Sequence, residues 1–296
     1  MTIVVTGATG HLGRLTVDHL LARGIPASDI LAAGRDTAKL AALSEAVPGV
    51  RTAAVDFADP ASLDAALAGA SDLVLVSTSE PGQRVALHVN AIEAAQRAGI
   101  ARIVYTSAPH ATTSALVLAP EHKATEEALA ASGLVTIILR NNWYSENYAA
   151  ALAQARETGV FLTSTGAGRV ASAARSDYAE AIAAVLTTPG HDGAVYELSG
   201  DVAWTGEEFA AAASSALGRP VVYRSVSPEE HLAILTDAGL DAGTAGFVVA
   251  LDGNIRDGLL AETSGELARL IGHPTTPLVD SLRALAASAA EPVAGA

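Results

Sequence analysis

Cysteine is absent from this chain of 296 residues, and its absence excludes several kinds of chemistry. No disulfide can staple the fold, no thiol can act as a nucleophile, and no cysteine can ligate a metal. The histidines lack the H-E-x-x-H spacing or a comparable ligand pattern, and no G-x-S-x-G elbow marks a serine hydrolase. We therefore expect neither a metal site nor a Ser-His-Asp hydrolase.

Basic residues are scarce, since 18 Lys and Arg stand against 32 Asp and Glu and the formal net charge is -14. A nucleic-acid surface needs clustered positive charge, so this balance argues against a nucleic-acid partner. The chain also lacks a charge-free run of about 18 apolar residues, which argues against a membrane partner. The first apolar run begins at Thr2 and leaves no room for a signal peptide. These features together predict a cytoplasmic protein.

Apolar residues make up 50% of the chain, and alanine takes a large share of them. Short Val/Ile/Leu runs alternate with helical patterns through the first half, which is typical of a buried parallel sheet. The sequence therefore predicts an α/β protein with a Rossmann-type doubly wound parallel sheet. The predicted strands are 2–5, 30–34, 50–55, 73–76, 103–105 and 135–139, and the predicted helices are 12–21, 36–46, 59–69, 82–98 and 119–132.

A glycine-rich turn, Thr6-Gly7-Ala8-Thr9-Gly10-His11-Leu12-Gly13, follows the first strand without a gap. Gly7 permits a tight turn, Gly10 lets backbone approach a pyrophosphate, and Gly13 lets the helix pack closely on the sheet. The helix N-terminus adds free N–H groups for the phosphates. The spacing differs from the commoner G-x-G-x-x-G, and the alternative is a purely structural turn. Its place between an apolar strand and an amphipathic helix favours a dinucleotide site that uses residues 7–13.

The pattern changes after about residue 140, because short strands near 160–162 and 195–198 give way to helices from residue 205 onward. We interpret residues 1–140 as an NAD(P)-binding Rossmann domain to which segments at about 160–200 return. Residues 141–296 are interpreted as a smaller, mainly helical substrate-binding lobe.

Arg35 follows the second strand, at the place where an acidic residue would bind the ribose diol of NAD. The planar guanidinium is suited instead to the 2′-phosphate of NADP, so Arg35 favours NADP as the cofactor. The acidic residue nearby, Asp36, is expected to cap the next helix. The alternative for Arg35 is a plain surface charge.

Other cofactor residues are nominated by the rule that ligands lie beyond the carboxyl ends of parallel strands. Small hydroxyl side chains after the fourth strand leave space for the ribose and the nicotinamide. Asp56 could accept a hydrogen bond from adenine and Phe57 could stack on it, although a helix cap is an equal alternative for Asp56. The residues nominated in this way are Asp56, Phe57, Ser77, Thr78, Ser79, Thr106, Ser107, Asn141, Asn142, Trp143 and Tyr144.

The Tyr-x-x-x-Lys dyad that many enzymes on this scaffold use is missing, since no tyrosine has lysine four residues later. The helix that would carry it has His122 and Lys123 instead. His122 shares a helical face with Glu126 and Leu129, which we expect to look toward the core. Two roles are open for His122. In a functional role it donates a proton or orients a substrate, and in a structural role it is a buried histidine. Oxidation of an unactivated alcohol is therefore disfavoured, whereas hydride transfer to an electron-poor acceptor such as a quinone needs mainly positioning.

Several longer segments match a known group beyond the glycine turn and Arg35. They are Ser77-Thr78-Ser79-Glu80, Tyr105-Thr106-Ser107, Leu139-Arg140-Asn141-Asn142-Trp143-Tyr144-Ser145-Glu146-Asn147-Tyr148, Ala171 to Tyr178, Val195 to Leu198, and Leu270 to Thr276. With these segments the chain resembles the NmrA-like family of atypical short-chain dehydrogenases. Within that family it resembles the bacterial type 2 NAD(P)H:quinone oxidoreductases and triphenylmethane reductase.

The resemblance implies an NADPH-dependent reductase of quinones or similar conjugated acceptors. It implies that Gly7 to Leu12, Arg35, Ser77 to Ser79, Asn141 to Glu146 (with Ser145 among them) and Arg175 contact the cofactor. Asn142, Trp143 and Tyr144 would border the nicotinamide and the substrate. The candidate catalytic residues are therefore His122, Asn142 and Tyr144.

A second class of function stays open, because some NmrA-like proteins bind the dinucleotide without turnover and regulate transcription factors. An epimerase or dehydratase is disfavoured by the missing dyad. The expected partner of the enzyme is a small quinone-like molecule, and the oligomeric state, including a homodimer, stays open.

Overall fold

The computed structural model describes residues 1–78, 80 and 82–288. Its strands are β1 (Ile3–Val5), β2 (Ile30–Gly34), β3 (Arg51–Ala54), β4 (Asp72–Leu75), β5 (Arg102–Ser107), β6 (Val135–Asn141), β7 (Val160–Thr163), β8 (Val195–Leu198) and β9 (Val222–Ser225). Its helices are α1 (His11–Ala22), α2 (Thr37–Ala46), α3 (Pro60–Leu67), α4 (Arg84–Ala98), α5 (Ala119–Ala131), α6 (Ala149–Thr158), α7 (Arg175–Thr187), α8 (Gly206–Leu217), α9 (Pro228–Asp237), α10 (Ala242–Arg256), α11 (Glu266–Ile271) and α12 (Leu278–Ser288).

Seven strands form one parallel sheet in the order β3-β2-β1-β4-β5-β6-β8. The chain order reverses between β1 and β4, which creates the switch point where open α/β sheets bind ligands. This arrangement confirms the predicted doubly wound parallel sheet. The last strand, β8, comes from the region that we expected to return to the first domain.

The sheet is buried on both faces by helices. On one face α1, α7 and α11 contribute Leu20, Ile182 and Leu267 to a core that continues through β1 and β2. On the other face α3, α4 and α5 contribute residues such as Leu67, Ile92 and Leu129. Burial on both sides explains why the strands read as nearly continuous apolar runs.

A second core lies in the C-terminal part of the chain, where β7 and β9 form a separate parallel pair. Its centre is aromatic: the rings of Phe161 and Phe209 lie 4.1 Å apart, and those of Tyr148 and Trp204 lie 5.0 Å apart. Helices α8, α10 and α12 cover this cluster, so the C-terminal part is mainly helical as predicted. The division at residue 140 stays a prediction.

Local signals set most of the helix ends. Asp36 and Asp59 are the N-caps of α2 and α3, and each carboxylate accepts a backbone N–H of the first turn. Gly99 ends α4 in the left-handed conformation that a C-terminal glycine adopts readily. None of the helices in the described residues combines the length and apolar character needed to cross a membrane.

Candidate functional site

A cleft of about 640 Å³ runs along the carboxyl ends of the main sheet. Residues that follow six of the strands line it, together with residues of α5 and α10. The sequence-predicted residues among them are Gly7, Thr9, Gly10, His11, Leu12, Gly13, Arg35, Asp56, Phe57, Ser77, Thr78, Ser107, His122, Asn141, Asn142, Trp143, Tyr144 and Arg175.

The glycine turn brings the N-terminus of α1 to the switch point. Gly7 has a φ of 63°, which favours glycine, and the Ala8 N–H binds the turn to the Ala33 carbonyl at 2.9 Å. A Cβ on Gly13 would overlap the Gly7 carbonyl oxygen, so α1 can pack this closely against the turn only with glycine at this position. Gly10 is the N-cap and offers no capping side chain. The first N–H groups of α1 are therefore free of a side-chain cap at the cleft, which suits a phosphate.

Arg35 stands beside this turn, but it does not stand alone. Its guanidinium lies 2.5 Å from the Glu80 carboxylate, across the cleft from the end of β2 to the loop after β4. The Arg35 side chain is 66% exposed, so solvent screens the pair and an incoming anion could reach the guanidinium.

The residues after β3 and β4 form the next part of the wall. The Asp56 carboxylate accepts the Ala58 N–H at 2.9 Å within a turn, so the alternative of Asp56 as the cap of α3 is wrong; the cap is Asp59. The Thr106 hydroxyl does not line the cleft and instead accepts the Ser77 N–H at 2.9 Å. Among the described residues the buried Thr78 hydroxyl oxygen has no hydrogen-bond partner, so it suits a ligand hydroxyl. Ser79 lies outside the described residues.

The segment after β6 forms the opposite wall. The Asn141 amide donates to the Tyr144 hydroxyl at 3.2 Å. The Asn141 side-chain oxygen is buried and has no hydrogen-bond partner in the part of the chain that the structure describes, so it suits a ligand donor. Partial burial raises the pKa of the Tyr144 phenol, so it stays protonated at neutral pH. The Arg175 guanidinium lies 5.1 Å above the Tyr144 ring. Asn142 is held by the Leu260 carbonyl at 3.3 Å.

Four of the predicted cofactor residues do not line the cleft and support it instead. Ala8 and Thr106 fix the ends of β1 and β4 as described above. The Ser145 hydroxyl is buried and bonds Ser172 at 2.9 Å, and the Glu146 carboxylate accepts the Arg175 N–H at 2.9 Å. The Ser145 and Glu146 side chains therefore hold the segment after β6 to Ser172 and to Arg175 at the start of α7.

His122 is buried on α5, and its Nδ1 lies 2.8 Å from the Tyr105 hydroxyl. Two residues further along β5, the Ser107 hydroxyl donates to the Glu126 carboxylate at 2.6 Å. Lys123 lies on the exposed side of the helix, as expected. The alternation of β5 and the four-residue period of α5 together could have paired Tyr105 with His122, but sequence reasoning missed Tyr105.

Apolar residues that the sequence did not nominate close the far end of the cleft. They come from the loop before α5 and from the C-terminal part of the chain: Leu116, Leu118, Phe247 and Leu260. Nothing in their local pattern distinguishes them from core residues. In the described residues no group of three or more His, Asp or Glu is arranged to hold a metal ion.

The comparisons with known proteins agree with this geometry. Residues 7–189 match the model of an NAD(P)H-binding family. Over 280 residues the chain is 46% identical to quinone oxidoreductase 2 of Escherichia coli (strain K12), covering 95% of this chain and 97% of that protein.

Solved structures show the same relationship. An NADPH complex of the NADPH-dependent quinone oxidoreductase from Escherichia coli superposes with a TM-score of 0.91 at 45% identity, over 96% of this chain and 99% of that one. The Citrobacter sp. triphenylmethane reductase complexed with NADP(H) gives 0.90 at 35% identity, over 96% and 100%. The resemblance stated from the sequence motifs is confirmed, and this chain belongs to the NAD(P)H-binding family alongside these reductases.

Proposed function

We propose that this protein is an NADPH-dependent oxidoreductase that transfers a hydride to a quinone or a similar conjugated acceptor. The observation that carries the proposal is that one cleft is lined both by a phosphate-type glycine turn and by apolar side chains. The quinone oxidoreductase and the triphenylmethane reductase that resemble the chain support the same reading.

The cofactor end of the cleft fits NADPH. The N-terminus of α1 would take the pyrophosphate, and Arg35 would take the 2′-phosphate after it leaves Glu80. Thr78 and Asn141 each present a buried oxygen that has no partner among the described residues, which suits the hydroxyl and amide groups of the nicotinamide riboside. The bound cofactor would supply a hydride from its nicotinamide.

The acceptor end fits a flat, uncharged ring. Trp143 and Phe247 provide aromatic surface, and Leu116 and Leu260 add apolar surface. These residues orient the acceptor and exclude water from it, while Asn142 and His122 are the polar groups placed beside it. Positioning of this kind is most of what an activated acceptor needs.

The proposal is tested by mixing the purified protein with NADPH and a series of quinones and triphenylmethane dyes. We expect quinone-dependent loss of the absorbance of the reduced nicotinamide, with NADPH preferred over NADH. Tight NADPH binding without turnover of any quinone or dye would contradict the proposal and favour a regulatory, dinucleotide-sensing protein.

A further inference from the structure

Four buried polar side chains form two hydrogen-bonded pairs that pack against each other beside the cleft. His88 of α4 contacts Thr125 of α5, and Tyr105 of β5 contacts His122 of α5. The rings of His88 and Tyr105 lie 5.4 Å apart, and all four side chains are buried. The positions of the protons in these pairs can be worked out from their fixed donors and acceptors.

The first proton is fixed by the backbone. The Thr78 N–H donates to Nε2 of His88 at 3.1 Å, so that nitrogen carries no proton. Neutral His88 therefore holds its proton on Nδ1, which donates to the Thr125 hydroxyl oxygen at 3.0 Å. The Thr125 hydroxyl then gives its own proton to the Glu121 carbonyl at 2.9 Å, because a carbonyl can only accept.

The next proton belongs to Tyr105. A buried hydroxyl has to give its proton to an acceptor, and Nδ1 of His122 lies 2.8 Å from the Tyr105 oxygen. The Thr125 hydroxyl is also near Tyr105, but its oxygen already accepts the proton of His88. When Tyr105 donates to Nδ1, the proton of neutral His122 stands on Nε2. Within the described residues the only hydrogen bond of the His122 ring is the one at Nδ1, and His122 lines the cleft. Its N–H is therefore presented to a ligand.

Burial is the main reason that His122 stays neutral, and the nearby Arg84 acts in the same direction. Arg84 and His88 face it from α4, Tyr105 faces it from β5, and Glu121 and Glu126 stand on its own helix. Burial, with Arg84 as the second cause, lowers the pKa of His122 to about 3. Burial also raises the pKa of the Tyr105 phenol above its ordinary value. Proton release from Nε2 would leave either an imidazolate or a Tyr105 phenolate, and both are disfavoured.

We propose that His122 acts on the acceptor as a neutral hydrogen-bond donor through Nε2–H, and that Tyr105 is the positioning residue that fixes this tautomer. The proposal rests on the proposed quinone reduction. A hydride brings two electrons and one proton to the quinone and leaves NADP⁺, and the Nε2–H stabilises the negative oxygen of the resulting hydroquinone anion. Water then supplies the second proton.

The tautomer is tested without any turnover by long-range ¹H–¹⁵N correlation spectra of the histidine rings in the full chain. With the signals of His122 assigned from His122→Gln, we expect an unprotonated Nδ1 and a protonated Nε2 from about pH 5 to 8. The opposite tautomer, or an imidazolium in this range, would overturn the proposal.

The catalytic part is tested by pH and solvent isotope measurements. Wild-type kcat/KM for the quinone is expected to be flat over about pH 5 to 8, with a solvent isotope effect near unity. His122→Ala is expected to lower kcat/KM by roughly ten- to a hundredfold, and His122→Gln by less, because its amide can still donate. A titration in this range that disappears in His122→Gln would overturn the proposal.

Tyr105→Phe distinguishes a positioning role of Tyr105, in which it fixes the tautomer of His122, from a purely structural role. Loss of the hydroxyl frees Nδ1, so both His122 tautomers should appear in the spectra while NADPH affinity stays unchanged. A single unchanged tautomer would show that Tyr105 does not fix it. The correct tautomer in a protein that turns over no quinone would instead overturn the proposed function.

Discussion

At the scale of single residues, Arg35 and its ion-pair partner Glu80 define the charge at the cofactor end of the cleft. Spacing from the glycine turn predicted Arg35, but it could not predict the ion pair with Glu80. The two residues come from β2 and the loop after β4, which lie on either side of β1 only because of the strand order. An ion pair between residues that only the strand order brings together cannot be predicted from a local sequence pattern.

We predict that Arg35→Glu weakens NADPH binding by roughly ten- to a hundredfold and weakens NADH binding much less, because only NADPH carries the 2′-phosphate. Dissociation constants for both dinucleotides measure this difference. Arg97→Gln is the matched control, since Arg97 is an exposed arginine paired with Asp64 away from the cleft. Equal losses for NADPH and NADH would show that Arg35 does not recognise the phosphate.

The Glu80 carboxylate competes for the same guanidinium. Glu80→Gln is therefore expected to tighten NADPH binding by a few-fold, and to leave NADH nearly unchanged, because the exposed pair is weak. Isothermal titration with both dinucleotides checks the sign. Weaker NADPH binding would mean that Glu80 helps to hold the cofactor.

At the scale of elements, type and order follow from the sequence, while some ends do not. Local periodicity alone predicts one helix over 144–156, but Tyr144 is extended and bridges Ala173, and α6 starts only at Ala149. The same periodicity predicts a helix over about 243–261, but α10 ends at Arg256, because a turn with Gly258 at a φ of 80° follows. Tertiary contacts and a glycine turn override local periodicity at these places.

The glycine turn gives an element-scale prediction. Gly13→Ala is expected to lower the melting temperature and abolish tight NADPH binding, because the new Cβ would push α1 away from the Gly7 carbonyl. Gly246→Ala is the control: it lies within α10 with open space around its Cβ position, and it should stabilise the protein by about 0.5–1 kcal/mol. Unchanged melting and binding in Gly13→Ala would contradict the packing described at the turn.

At the scale of the whole molecule, two buried neutral histidines link stability to pH. Burial lowers the pKa values of His88 and His122 to about 3, below the ordinary value of 6.5. As the pH falls below 6.5, these two histidines therefore bind protons in the unfolded chain but not in the folded chain. Stability present above that pH is lost in acid.

His122→Gln removes one of these two groups. We predict that its free energy of unfolding falls less steeply in acid than that of the wild type, by about 1.4 kcal/mol per pH unit below about pH 6. Urea unfolding at about pH 7, 6 and 5 measures the difference. Parallel curves would mean that His122 is not a buried neutral group.

The fold of the whole molecule brings the polar wall of the cleft and its apolar residues together. The sequence predicted most of the polar wall but not the apolar residues. The strand-end rule nominated most of the polar wall, because parallel strands end at one edge of a sheet. The apolar end needed the docking of the C-terminal part, which brings Phe247 and Leu260 to that edge. No local pattern encodes such docking.

Hydride transfer within this cleft is tested most directly by an anaerobic titration of the NADPH-loaded protein with a naphthoquinone, with product analysis and radical detection. We predict one hydroquinone formed for each NADPH consumed, no semiquinone signal, and loss of the reaction in Gly13→Ala. An accumulating semiquinone, or NADPH that stays bound and unconsumed, would contradict hydride transfer to a quinone in this site.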